Sequence, residues 1–428
     1  MAKTPTYTYI AGLDIGNGYT KGLISAGVDD PKPDEVDIPS AVAIETLANA
    51  LPIPDAEAKQ TVTNKDTSLY DMLDVTFDSP LINTRYRYLF GKRSLSANAR
   101  LKEFTIDGGV SKADQDLSKI LVLGLLAGRA VKDYITEHKH VPNPANDDDP
   151  SVLKVRANVA LALPINEYRH HRAAYATAFT GPQGQKITHT VTVRNFETPI
   201  VVQVIVNRVD VIAEGASAQY AITAYGKPLA QRLLDDARAT QGIALEGVTA
   251  GTIVGITDSI GVDIGEGTVN FPVFTDGKFN QDASYNFGLG YGSILERSLR
   301  TMNNGGVHTN FDSRKKLADY LLRGPVPLKE AEYQGVLDYV EDQVDFFVDE
   351  LAEQFGRVLR GAQLTQAVYV YGGGSGPIRD KAYPALAKKV KEIAPQGEMP
   401  VFYLDTAYSR KLNREGLMIA ASAGARRG

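Results

Sequence analysis

Apolar positions recur along the chain with two periods, alternate residues in some segments and every third or fourth in others, which predicts interleaved strands and helices. Tyr7 to Asp14 is an apolar strand that meets the turn Gly16-Asn17-Gly18 and resumes at Thr20 to Ser25, a hairpin signal. Residues 36 to 105 mix short apolar stretches with turn residues, and Tyr86 to Phe90 and Leu101 to Ile106 read as strands of a small α+β module inserted after the hairpin. Leu117, Leu121, Leu125, Ala127, Val131 and Ile135 fall at helical spacing and predict one helix over 117–136. Pro142 to Pro150, with Asp147-Asp148-Asp149, reads as a solvated loop. Val152 to Leu163 is a near-continuous apolar run of the buried-strand kind, closed by Pro164. A helix near 168–179, strands within 187–211 and an Ala-rich helix over 216–240 follow. Ile253 to Ser284 then repeats the opening order of strand, Gly turn and strand, with a third strand after Asp276-Gly277. Residues 290–361 read as helical and charged; Val368 to Tyr371 is a short strand running into Gly372-Gly373-Gly374, and a helix, a strand at 401–404 and a final helix from Asn413 complete an α/β pattern.

Composition narrows this picture by exclusion. The 428 residues are enough for two to three domains. With no Cys there are no disulfides, thiolate nucleophiles or Cys-based metal sites. The net charge of −5 argues against broad electrostatic binding of nucleic acid. No run reaches the roughly 20 apolar residues of a membrane span, since the longest, Ile120 to Val131, is interrupted by Arg129. Met1 to Tyr9 lacks the basic start and apolar core of a signal peptide. The expectation is a soluble cytoplasmic protein without membrane contact.

The strongest chemical signal is an internal repeat. Leu13-Asp-Ile-Gly-Asn-Gly18 and Val262-Asp-Ile-Gly-Glu-Gly267 lie 263 − 14 = 249 residues apart. A turn with two Gly can gather its backbone N–H groups into an anion nest, and Gly is needed because a Cβ would block the approach. The Asp at each strand end puts a carboxylate where phosphate-bound Mg²⁺ would sit with its waters. One such hairpin is usually just a turn; two copies at domain spacing predict a polyphosphate clamp. Val368-Tyr-Val-Tyr-Gly-Gly-Gly-Ser375 is a strand entering three Gly, which lets a flat or anionic ligand approach the backbone.

These residues resemble the actin-like ATPase superfamily of actin, MreB, the seventy-kilodalton heat-shock chaperones and sugar kinases. Asp14-Ile-Gly-Asn-Gly-Tyr-Thr-Lys21 resembles its first phosphate motif, with Lys21 where actin carries a phosphate-contacting lysine. Asp263-Ile-Gly-Glu-Gly-Thr268 resembles the second, and Gly372-Gly-Gly-Ser375 the adenosine motif. Ala160-Leu-Ala-Leu-Pro164 with Glu167-Tyr168 is similar to a strand and turn of ParM-type plasmid-segregation actins. Glu214-Gly-Ala-Ser-Ala218 resembles the segment where actin-like filament proteins place a water-positioning Gln or Glu, although Glu214 also reads as a helix-start carboxylate favoured by the dipole.

The resemblance implies an actin-like fold. Two lobes, each with a ribonuclease-H-like mixed sheet and flanking helices, would enclose a nucleotide cleft. The first would hold residues 1–215 and 407–428 with an outer insertion at about 36–105, the second 216–406 with an outer helical insertion at about 290–361. It implies that Asp14 and Asp263 hold Mg²⁺ through water, and that the nucleotide, ATP or GTP, contacts Gly16, Asn17, Gly18, Tyr19, Thr20, Lys21, Gly265, Glu266, Gly267, Thr268, Gly372, Gly373, Gly374 and Ser375. Glu214, Asp263 and Asp14 would be the catalytic set. It also implies ATP-driven filaments that segregate plasmid DNA through a separate DNA-binding adaptor, so that nucleic acid is reached only indirectly. The rivals are a sugar or small-molecule kinase, a chaperone-like module and a non-hydrolysing structural actin. A kinase needs a base beside its acceptor hydroxyl and a sugar-binding insertion, and neither is legible. A chaperone usually adds a C-terminal substrate domain, and the chain ends soon after its last motif.

Other motifs carry less. His138, His140, His170, His171, His189 and His308 show no metal-site spacing, and His138 and His140 suit a helix end. There is no P-loop and no Gly-x-Ser-x-Gly elbow. Gly288-Leu-Gly-Tyr-Gly292 superficially suggests a dinucleotide turn.

Overall fold

The structure, a computed structural model, describes residues 4–46, 52–82, 86–97, 99–105, 110–183, 185–305, 311, 313–395 and 397–427. Ile106 and His308 lie outside the described residues. The chain divides into two compact units: Met1–Leu163, Glu167–Ala213 and Arg414–Gly428 form the first, Pro164–Asn166 and Glu214–Asn413 the second.

The first unit is built on strands β1 (Thr6–Ile15), β2 (Tyr19–Ser25), β3 (Asp34–Pro39), β4 (Ala41–Glu45), β5 (Asp74–Asp78), β6 (Arg87–Phe90), β7 (Arg100–Glu103), β8 (Leu153–Leu163), β9 (His189–Val193) and β10 (Ile200–Ala213). They form one ten-stranded sheet in the order β3-β2-β1-β8-β10-β9-β5-β6-β4-β7. The strands of residues 36–105 therefore do not make a sheet of their own. β5 pairs antiparallel with β9, carrying the sheet onward into β6, β4 and β7. β8 runs parallel to both β1 and β10, so both its edges are occupied, and its apolar run is buried at the centre.

Helices α1 (Ala58–Thr63), α2 (Gly91–Ser96), α3 (Asp116–His138) and α4 (Ile165–Thr180) follow the same chain order. α3 is buried around most of its circumference in the main core, with Tyr9, Leu13, Val155 and Val204. Arg129, the charge inside that apolar run, is held by Asp133 at 2.9 Å and by the Ile24 carbonyl at 2.8 Å. Among the described residues no helix is long and apolar enough to cross a membrane. The aspartates after α3 are not uniformly solvated: Asp149 accepts from His140 at 2.9 Å and Tyr134 at 3.0 Å.

The second unit contains α5 (Ala216–Gln241), α6 (Ala250–Val254), β11 (Ser259–Ile264), β12 (Val269–Thr275), β13 (Lys278–Phe287), α7 (Tyr291–Asn304), α8 (Arg314–Arg323), α9 (Glu330–Gly361), β14 (Ala367–Tyr371), α10 (Arg379–Ile393), β15 (Val401–Tyr403) and α11 (Thr406–Ser409). Helix α12 (Leu412–Arg427) ends the described chain, and its Leu417 and Ala421 pack with Ile10, Ala160 and Ala162 in the first unit. The second sheet has the order β13-β12-β11-β14-β15. Alternate residues of β14 face opposite cores: Val368 and Val370 pack with α7, α9 and α10, Tyr369 and Tyr371 with α5 and α6.

Two sequence expectations change here. Residues 216–240 are not one smooth helix: Gly226 takes φ +59° and Pro228, which has no N–H to donate, follows, so α5 is broken. Ile253 and Val254 belong to α6 rather than to a strand, because Thr249 and Thr252 form a reciprocal capping box that starts a helix there.

Candidate functional site

The two Asp-Ile-Gly-x-Gly segments fold into hairpins of the same register. In β1–β2, Asp14 lies opposite Lys21 and Ile15 opposite Thr20. In β11–β12, Asp263 lies opposite Asn270 and Ile264 opposite Val269. Gly16 N–H donates to Tyr19 O at 3.1 Å, and Gly265 N–H donates to Thr268 O at 2.9 Å. A Cβ on Gly16 would meet Tyr19 O at 2.7 Å, which the turn cannot take without moving its backbone, and one on Gly265 would meet Thr268 O at 3.0 Å, a tight fit. Asn17 and Gly18 form the tip of the first turn, Glu266 and Gly267 that of the second.

The hairpins also occupy the same place in their sheets. Strands β3-β2-β1-β8-β10 of the first unit and β13-β12-β11-β14-β15 of the second are both an antiparallel meander extended by two parallel strands. The repeat seen in sequence is thus a repeat of topology.

In the first unit the hairpin is braced from β3 and its exit. Ser40 N–H donates to Gly18 O at 2.9 Å, and the buried Thr20 hydroxyl lies 2.8 Å from that of Ser40. Tyr19 is exposed, and Asp14 and Lys21 are half-buried on adjacent strands.

In the second unit the predicted residues come together around Asp263, which is buried. Its Oδ2 accepts the Asn413 amide at 2.9 Å, and Asn413 Oδ1 in turn lies 3.1 Å from the Ser217 hydroxyl. A buried carboxylate needs such donors to offset its lost hydration. Tyr371, opposite Asp263 on β14, donates its hydroxyl to Gly215 O at 2.8 Å. Burial, reinforced by the charge of Asp263, holds that phenol well above its ordinary range, so it stays a donor.

The triple glycine packs directly on this turn. Gly372 has φ +101°, a conformation that glycine tolerates, and a Cβ there would collide with Ile264 O and Asp263 Oδ1. Gly374 N–H donates to Ile264 O at 2.8 Å, while the buried Ser375 hydroxyl donates back to Gly372 O at 2.8 Å rather than pointing outward. Gly373 is exposed at the tip.

Glu214 reaches the same hairpin: the buried Asn270 amide donates to its Oε2 at 3.3 Å, and Asn286 donates to Asn270 Oδ1 at 2.8 Å. The Gly288–Gly292 run has a structural role. Tyr291 N–H donates to Gly265 O at 2.9 Å and Gly292 N–H to Glu266 O at 2.8 Å, so the start of α7 holds the second turn from behind. Glu266 is also tied to Arg314 at 3.1 Å.

Sequence reasoning missed Asn413, Asn270, Tyr371 and the bracing role of Tyr291 and Gly292. Asn270 was available by setting the hairpins in register, since it stands where Lys21 stands in the first. Asn413 has no local signal, because it arrives from the far end of the chain.

The donor chemistry fits a polyphosphate with Mg²⁺. Each unit presents one glycine turn with an acidic strand end, and the first adds a lysine. Mg²⁺ keeps most of its waters and needs only one or two carboxylates beside phosphate oxygens. Among the described residues no three His, Asp or Glu cluster as a self-sufficient metal cage.

No protein-family model and no curated protein matches the chain. Solved structures do. An archaeal actin homolog, Ta0583, superposes with TM-score 0.56 at 17% identity, covering 98% of this chain and 100% of its own. Bacillus thuringiensis ParM with ATP gives 0.54 at 16% identity, over 98% and 100%. The archaeal homolog in complex with ADP gives 0.54 at 16%, over 99% and 100%. At these identities the likeness establishes the fold, which is actin-like.

Proposed function

We propose that this actin-like chain is an ATPase that assembles into filaments with ATP and moves plasmid DNA through a separate DNA-binding adaptor. The observation that carries the reading is the duplicated hairpin, Asp14/Lys21 and Asp263/Asn270 in one register on sheets of one topology. Two of the similar structures are described as containing ATP or ADP, which supports a nucleotide as the ligand of these turns.

In this reading the glycine turns and Gly372–Gly374 bind the nucleotide. Lys21 offsets phosphate charge that grows in the transition state. Asp14 and Asp263 hold Mg²⁺ through water, and the ion, when bound, supplies charge neutralisation at the phosphates. Glu214, oriented by Asn270, positions the attacking water and takes up its proton. The net charge of −5 agrees with DNA being reached through a partner.

Calorimetric titration with ATP and Mg²⁺ tests the binding step. Lys21→Ala should weaken ATP binding by about tenfold, the loss of one charge-assisted contact. Unchanged affinity would remove Lys21 from the site. Asn413→Leu separates positioning from binding. It strips Asp263 of its amide donor, so turnover should fall by about 10- to 100-fold, as for supporting residues around a metal-associated ligand. ATP affinity measured in EDTA should not change, and equal losses in both would contradict the assignment.

A further inference from the structure

The two hairpins share a register but not a charge. Residues 6–25, β1 through β2, hold one acid, Asp14, and one base, Lys21. Residues 259–275, β11 through β12, hold two acids, Asp263 and Glu266, and no Lys or Arg. Asn270 stands where the first hairpin has Lys21, and Glu266 stands at the turn tip where the first has Asn17. A carboxylate at the tip of a turn that receives a polyanion opposes the ligand, because like charges a few Å apart repel. The second hairpin therefore lacks the cation that the first carries, and has a charge of the wrong sign in its place.

A cation reaches that tip from α8 of the same unit. Arg314 Nε lies 3.1 Å from Glu266 Oε1, and the two side chains are only 22% and 24% exposed. Each partner is anchored. Arg314 is the first residue of α8, where the Ser313 hydroxyl caps the helix by accepting from Lys316 N–H, and Leu317 is buried in the same core as Met302 of α7. Glu266 is held by α7: Gly292 N–H donates to its carbonyl at 2.8 Å, and a Cβ on Gly292 would come within 2.9 Å of its Cγ. The triple glycine closes on the same spot, since a Cβ on Gly374 would meet Tyr291 Cβ at 2.7 Å and Gly265 O at 3.0 Å. A guanidinium carries five N–H donors in a fixed planar fork. Glu266 faces the one on Nε, which sets the plane of the fork and leaves the Nη groups for a second anion.

We infer that Arg314 is the cation of the second turn: its Nη groups bind a phosphate oxygen of the nucleotide, and Glu266 is the positioning residue that aims it. The inference rests on the reading of the turns as a nucleotide site and adds to that site a residue from outside the repeat.

Calorimetric titration with Mg²⁺ and either ATP or adenosine tests it. Arg314→Ala should weaken ATP binding by about 10- to 100-fold, the loss of a hydrogen bond between charged groups, and leave adenosine binding unchanged. Arg314→Lys, a point charge without the fork, should recover only part of the loss. Glu266→Gln keeps an acceptor oxygen for Nε and removes the repelling charge, so it should bind ATP at least as tightly as the wild type. Glu266→Ala removes the aim as well and should bind more weakly than Glu266→Gln. The double variant Glu266→Gln/Arg314→Ala should remain at least about tenfold weaker than Glu266→Gln alone. If Arg314 only offsets the charge of Glu266, that double variant binds ATP as Glu266→Gln does, and the inference is overturned. It is also overturned if Arg314→Ala binds ATP normally while Lys21→Ala does not, if Glu266→Gln and Glu266→Ala bind alike, or if ATP and adenosine lose equally. A wild-type chain that binds no nucleotide overturns the nucleotide reading and this residue with it.

Discussion

Replacing Asp263 with Asn is expected to lower phosphate release by about 10²- to 10³-fold, the usual cost of losing a preorganised electrostatic group. The substitution keeps the side chain's size, removes its charge and exchanges one acceptor oxygen for an NH₂ donor. Asp263 is buried, its Oδ2 is held by Asn413, and its Oδ1 lies beside the bare backbone of Gly372. Burial and these contacts hold the carboxylate where it stands. The fold should persist, because the apolar packing of β11 through Ile260, Val262 and Ile264 is untouched. Steady-state phosphate release measured beside a thermal melt separates the two effects. Turnover at the unsubstituted rate would sink the assignment, whatever the melt shows.

Asp74→Ala should have the largest effect on stability, about 3–5 kcal/mol, because it leaves a buried charge without its partner. Arg87 donates through Nε to Asp74 Oδ1 at 2.6 Å and through Nη2 to Oδ2 at 2.5 Å, and both side chains are 1% exposed. Among the described residues the buried Arg87 Nη1 has no hydrogen-bond partner, and losing Asp74 would leave Nε and Nη2 without theirs as well. Arg93 lies 3.4 Å from the same carboxylate and would lose it too. The pair joins β5 to β6, the step by which the first sheet turns toward β4 and β7. A chain of two units need not unfold in one transition. Hydrogen exchange of peptides spanning 70–90 under rising urea therefore reads the effect better than a global melt. Replacing both residues by apolar ones of similar volume should recover most of the loss. Protection unchanged in Asp74→Ala would show that the pair contributes nothing net.

What the sequence made legible follows from which constraints are local. Glycine turns flanked by apolar strands must be written in consecutive residues, so both hairpins and the Gly372–Gly374 entry were readable, as was their repetition 249 residues apart. The pairing of β5 with β9 was not, because Val75 meets Val193 across more than a hundred residues with no shared signal. The break in α5 was written as Gly226 and Pro228, but the surrounding Ala-rich helical pattern outweighed it. The Thr249–Thr252 capping box is equally local, but the apolar run that follows it carries the stronger strand signal. Around the site, the glycine turns and their strand-end aspartates were legible because so tight a turn demands particular backbone. Those that hold them, Asn413, Tyr371 and Asn270, were not, since an amide or phenol becomes a brace only when the fold delivers it to a buried carboxylate or carbonyl.

The most direct measurement follows light scattering and phosphate release together after ATP and Mg²⁺ are added to the purified chain. Scattering should rise as filaments form, then fall as phosphate accumulates and the ATP is consumed. Phosphate release without any rise in scattering would contradict the account, and so would scattering that neither requires ATP nor changes as it is hydrolysed.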